Sequence, residues 1–126
     1  MQSLLMVAIG GAAGAASRHL VGMWAMRFMG AGFPWGTLAV NVIGSFAMGI
    51  FIELLALRFQ GSSALRLLVA TGFLGGFTTF SAFSLDAVTL WERGEAGFAA
   101  IYILVSVLVS IAALFFGLYL VKSIFS

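Results

Sequence analysis

Hydrogen-bonding side chains recur at helical intervals in three stretches of this chain. Thr37, Asn41 and Ser45 are four apart, as are Tyr102, Ser106 and Ser110, while Thr78, Ser81 and Ser84 are three apart. Both steps return a side chain to the same face of a helix. Beside the third set runs a stripe of phenyl rings with the same step, Phe77, Phe80 and Phe83. All of these groups are uncharged, and the hydroxyls, the amide and the ring edges can each present a positively polarised hydrogen. A path for cations would usually offer carboxylates or rings of carbonyl oxygen, and a proton-coupled carrier usually needs an acid at mid-membrane. The four acids here, Glu53, Asp86, Glu92 and Glu95, lie toward the ends of the apolar segments. The pattern points to a path for something small and anionic that sheds its water.

Composition says what positions these residues. Of 126 residues, 63% are hydrophobic and 8% charged, with mean hydropathy +1.18, far from the balance of a soluble domain. Four apolar stretches, at about 4–28, 35–57, 67–90 and 96–121, each exceed the roughly 20 residues a helical span needs. The expected fold is an all-α integral membrane protein, residues 1–126 forming one domain of four transmembrane helices. Turn signals at Gly30 to Pro34 and Gly61 to Ser63 separate the spans. The N-terminus lacks a basic region ahead of its apolar run, so a cleaved signal peptide is not expected. With no cysteine, there is neither a disulfide framework nor a thiol metal site.

The third span is the unusual one. It carries no charge from Leu67 to Leu85, yet contains Gly75–Gly76 and Thr78–Thr79 near its middle. These pairs weaken a helix, and backbone groups freed in hydrocarbon must find partners in protein or in a wet cavity. A break at membrane depth is therefore expected there, with Thr79 beside it as a pore or interface hydroxyl. Small and polar residues also glue membrane helices together. That plainer role suits Ser45, Gly49, Gly10 and Gly14, whereas Asn41 and the Thr78–Ser84 segment combine hydroxyl density with a helix breaker and favour function.

Loop charges bear on topology. One side carries Arg58, Arg66 and Lys122 and the other Arg27 and Arg93, or three against three if Arg18 is counted toward the first loop. Such a balance fits either an ordinary protein with a weak orientation signal or insertion both ways, with an antiparallel two-fold dimer as the working unit. Arg18 lies inside the first span, where a central arginine costs about 2.5 to 3.5 kcal/mol on insertion scales. It serves either as an anion-attracting charge near a pore mouth or as an anchor bonded to carbonyls.

Other function classes fit less well. There is no Ser-His-Asp set, no carboxylate pair at one depth and no His or Cys metal cluster to support an enzyme. A net charge of only +2 gives no basis for nucleic-acid binding. A small dual-topology multidrug antiporter shares the size and the four spans, but it needs a glutamate in the first span, and this one has none. An accessory subunit would explain the small residues but not the hydroxyl and phenyl tracks.

Together, GGAAGAASRH in the first span, NVIGSF in the second and GGFTTFSAFS in the third resemble the Fluc (CrcB) fluoride channels, over all four spans. The resemblance implies an antiparallel dual-topology homodimer in the bacterial cytoplasmic membrane, with two pores and a sodium ion at the dimer centre. It implies passive, selective fluoride export, protecting a cell into which hydrogen fluoride has diffused. It places pore phenylalanines at Phe80 and Phe83, the pore asparagine at Asn41 and the hydroxyl track at Tyr102, Ser106 and Ser110. Thr37, in line with Asn41, and Thr79, beside the break, are further candidate pore hydroxyls on spacing and position. The sodium falls to the main-chain carbonyls of Gly75 and Thr78 from each subunit. The chain departs from the family pattern at His19, more usually tyrosine, at Ala82, often threonine, and at Asp86, often glutamate.

Overall fold

The computed structural model describes residues 1–125. Helices α1 (Gln2–Met29) and α2 (Trp35–Arg58) fill the first two spans and α6 (Ala96–Phe125) the fourth. Each is apolar enough to cross a bilayer, and at 1.5 Å per residue even the 24 residues of α2 reach about 36 Å. The third span, Ser63–Glu92, is built from pieces. A turn of helix, α3 (Ser63–Leu65), runs into a nine-residue π-helix, Arg66–Leu74, then α4 (Gly75–Phe77) and, after a gap, α5 (Phe80–Glu92).

The break falls at the threonines and not at the glycines. Gly75 and Gly76 are helical, whereas Thr78 (φ −86°, ψ 162°) and Thr79 (φ −154°, ψ 123°) are extended. The glycines serve packing instead: a Cβ on Gly76 would sit 2.6 Å from the Gly11 carbonyl oxygen on α1. The break also divides what spacing alone makes a continuous track. The Thr78 hydroxyl donates back to the Leu74 carbonyl (2.9 Å) and that of Ser84 to Phe80 (3.0 Å), each within its own half. The π-helix has no signature in the sequence. It lies along α1, where a methyl on Gly10 or Gly14 would run into the carbonyls of Leu68 or Phe73. Close approach of backbones through small residues is how helices associate in lipid. A second contact of this kind joins α2 to α6, through Gly49 and Gly117.

The two ends of the bundle differ. Trp24, Trp35 and Trp91 all sit near the end that carries the α1–α2 and α5–α6 loops, as expected of rings at a membrane–water interface. At that end Gly94 (φ 80°) closes α5, with Gly94 N–H donating to Trp91 and Glu95 N–H to Leu90, which is the Schellman pattern. A cluster of Phe83, Leu90, Ala99 and Tyr102 locks α5 onto α6, with Phe33 of the first loop packed against it.

Candidate functional site

Each half of the broken span ends in polar backbone that needs partners, and three side chains supply them. Thr79 caps α5, its hydroxyl accepting from the Ala82 N–H (3.1 Å). Asn41 of α2 grips the backbone of the same residue from both sides. Its Oδ1 accepts from the Thr79 N–H (2.7 Å) and its Nδ2 donates to the Thr79 carbonyl (3.0 Å). Arg18 of α1 donates from Nε to the Gly76 carbonyl (3.1 Å), at the C-terminal end of α4 where carbonyls lack helical donors. Of the two roles open to Arg18 in the sequence, the carbonyl-bonded anchor is thus made explicit. The same residue lines a cavity of about 660 Å³ with His19, Arg27, Thr37, Thr79 and Ala82. The lining holds basic side chains and no acid.

These diversions take two carbonyls' usual helical donors away. In an unbroken helix the Gly75 oxygen would accept from Thr79 N–H, which goes to Asn41 instead, and the Thr78 oxygen from Ala82 N–H, which goes to the Thr79 hydroxyl. Oxygens released in this way, neutral and hard, suit a cation without acidic ligands. Among the described residues there is no cluster of His, Cys, Asp or Glu able to hold a metal, so main-chain oxygen is the donor set on offer.

A second cavity, about 400 Å³, opens where α2, α5 and α6 meet the break. Asn41, Ser45, Thr78, Thr79, Phe80, Phe83, Ser106 and Ser110 line it. Its serines stand out by what they do not do. Ser17 and Ser84 return their hydroxyls to the carbonyl four residues back, but the buried hydroxyl oxygens of Ser106 and Ser110 have no hydrogen-bond partner among the described residues. A buried hydroxyl left unpaired costs on the order of 1 to 3 kcal/mol. The two lie one turn apart on one face of α6, both able to donate to an acceptor.

One turn further along α6 is Tyr102, fully buried, whose hydroxyl donates to Asp86 Oδ2 (3.2 Å). Its ring packs 5.2 Å from that of Phe83, which in turn lies 5.5 Å from Phe80. The two phenylalanines have opposite fates: Phe83 is 8% exposed and Phe80 76%. The fold brings Asn41, Thr79, Phe80, Phe83, Ser106 and Ser110 to one cavity, with Tyr102 against it. Thr37, expected in line with Asn41, instead lines the basic cavity and a neighbouring one. The Asp86–Tyr102 bond has no sequence signal, because it joins two helices through residues sixteen apart with no shared motif.

A profile described as CrcB-like protein, Camphor Resistance (CrcB), matches residues 5–118. The chain belongs to the CrcB family. It is similar over essentially its whole length to proteins named Fluoride-specific ion channel FluC. That of Rhizobium etli CFN 42 is 58% identical over 124 residues, 98% of this chain and 99% of that protein. The Agrobacterium fabrum C58 protein is 57% identical over 125 residues, 99% of this chain and all of that protein. The Hyphomonas neptunium protein is 51% identical over 127 residues, spanning both chains entirely. His19 and Ala82 lie together on the basic cavity, and Asp86 holds Tyr102.

Proposed function

We propose that this chain forms a passive, fluoride-selective channel in the bacterial cytoplasmic membrane and relieves fluoride toxicity by letting the ion out. The observation that carries this is the pair of partnerless buried hydroxyls, Ser106 and Ser110, in a cavity whose other polar groups carry no charge. Fluoride is a compact acceptor that holds water tightly, so it enters a site only where donors replace that water. Hydroxyl donors to an anion form charge-assisted bonds, about twice as strong as neutral ones. The positive edges of Phe80 and Phe83 add weak attraction without offering anything to a cation. Names borne by full-length relatives at 51 to 58% identity point the same way. The antiporter alternative lacks its glutamate, as α1 contains no acid.

The working unit in this reading is an antiparallel homodimer. Ser110, Ser106 and Tyr102 climb from mid-membrane toward one surface only, and beyond Ser110 the cavity wall is Met48, Ile111 and Leu114. One subunit therefore lines only one half of the membrane with polar groups. An inverted copy would supply the other half, and the exposed Phe80 at the break would be covered by it. Two breaks meeting at the centre would bring four carbonyls together, those of Gly75 and Thr78 from each subunit, as ligands for a sodium ion that would give these oxygens a partner in place of the lost helical donors.

Purified protein in liposomes loaded with potassium fluoride or chloride tests the function, with efflux read by ion-selective electrodes. Fluoride should leave far faster than chloride. Equal rates, or no flux, would sink the proposal.

A further inference from the structure

The hydroxyl track has a continuation that changes helices. From Ser110 and Ser106 a step of four reaches Tyr102, but the next step reaches Phe98, a ring packed against Phe33 of the first loop at 6.4 Å. Along α6 the polar line therefore stops at Tyr102. It resumes on α5, because the Tyr102 hydroxyl meets Asp86, and Asp86, Thr89 and Arg93 follow at i, i+3 and i+7 on one face of that helix. These three, with Thr37, line a separate cavity of about 240 Å³ beneath the Gly30–Pro34 loop. Arg93 ties that loop down: its Nη2 donates to the Gly32 carbonyl (3.2 Å) and to Glu95 Oε2 (3.1 Å).

We propose that this cavity is an anion antechamber, the place where an ion that has passed Tyr102 regains water before leaving, with Arg93 as the charge that draws it there. The inference rests on the fluoride-pore reading and extends it outward. At roughly 30 Å³ per molecule, the space holds on the order of eight waters, enough to begin rebuilding a hydration shell. Thr37 and Thr89 supply hydroxyls on its walls. The Asp86 carboxylate disfavours an anion, but it is engaged by Tyr102, and Arg93, the cation on the lining, lies two turns away with its charge shared with Glu95. Without Arg93 the lining would keep Asp86 as its one charged residue, with Glu95 unpaired beside it, at the exit of an anion path. Its guanidinium is therefore a steering group as well as a fastener for the loop.

The absence of cysteine makes the test clean. Thr89→Cys, reconstituted as the full chain, is treated with thiosulfonate reagents that add either a sulfonatoethyl or a trimethylammonium-ethyl group, and fluoride efflux is compared with its own untreated rate. The two adducts are similar in bulk and opposite in charge. The sulfonate should slow efflux by roughly ten-fold, within the range over which charge in a cleft alters ion capture, and the ammonium clearly less. A thiol that does not react, a reaction without slowing, or equal slowing by both reagents would each overturn the antechamber. As a second arm, Arg93→Gln should lower efflux at low fluoride concentration while Arg93→Lys, which keeps the charge but not the guanidinium geometry, restores it. If lysine fails to rescue, Arg93 only fastens the loop. Flux through the unaltered protein separates the two levels: if it is absent the pore reading fails, and if it is present while the adducts have no effect only the antechamber does.

Discussion

Ser106 and Ser110 hold hydroxyls that folding buries without reward, so stability and transport should respond to their loss in opposite directions. Ser106→Ala or Ser110→Ala removes an unpaired buried group worth on the order of 1 kcal/mol, and the thermal midpoint in detergent should hold or rise. Fluoride efflux from liposomes should fall at least several-fold. A variant that unfolds earlier would show that these hydroxyls have structural partners. Asn41 makes the opposite case, since its amide satisfies both the N–H and the carbonyl of Thr79. Asn41→Ala strands both in hydrocarbon and should cost about 1 to 3 kcal/mol, read as a lower thermal midpoint together with lost flux. The serine face could be read from a step of four. The clamp role of Asn41 could not, because nothing in the local pattern pairs Asn41 with Thr79, 38 residues away on another helix.

At the scale of elements, the third span works because α1 lets it approach. Gly14 faces the Phe73 carbonyl so closely that a side chain there must push the π-helix away. Gly14→Leu should abolish folding, seen as loss of the monodisperse peak on size exclusion. Gly97→Ala, with nothing within 4 Å of the added methyl, should leave that peak intact. Four apolar spans and a weak point in the third were legible from hydropathy and from GGFTTF. The placement of the weakness was not. Glycines weaken a helix only if nothing holds them, and here Gly76 is packed on Gly11 and its carbonyl bonded to Arg18, so the chain yields at Thr78 and Thr79 instead.

For the whole molecule, the charge balance at the two ends allows insertion in both orientations, and the proposed antiparallel pair requires it. A cysteine introduced at Gln2 should react with an impermeant maleimide in roughly half the molecules before permeabilisation and in all of them afterwards. Labelling that is complete or absent from one side would exclude the inverted pair. A sodium ion held by the Gly75 and Thr78 carbonyls would add stability by mass action, about 2.7 kcal/mol at one hundred times its dissociation constant. Replacing sodium with N-methyl-D-glucamine should then lower the dimer's thermal midpoint. An unchanged midpoint across sodium concentrations would remove the ion from the account.

By itself the sequence determined the class of molecule and the faces on which its polar groups lie. Both follow from local physics, namely the length of apolar runs against the thickness of a bilayer and the 3.6-residue period of a helix. Only the tertiary structure decided which polar groups are already satisfied. Asn41, Arg18 and the Thr79 hydroxyl spend their hydrogen bonds on the broken backbone, while Ser106 and Ser110 spend none. A residue's type states what it can donate. Whether that donor is free depends on neighbours from other helices, and a partner 38 or 58 residues away leaves no mark in the local pattern.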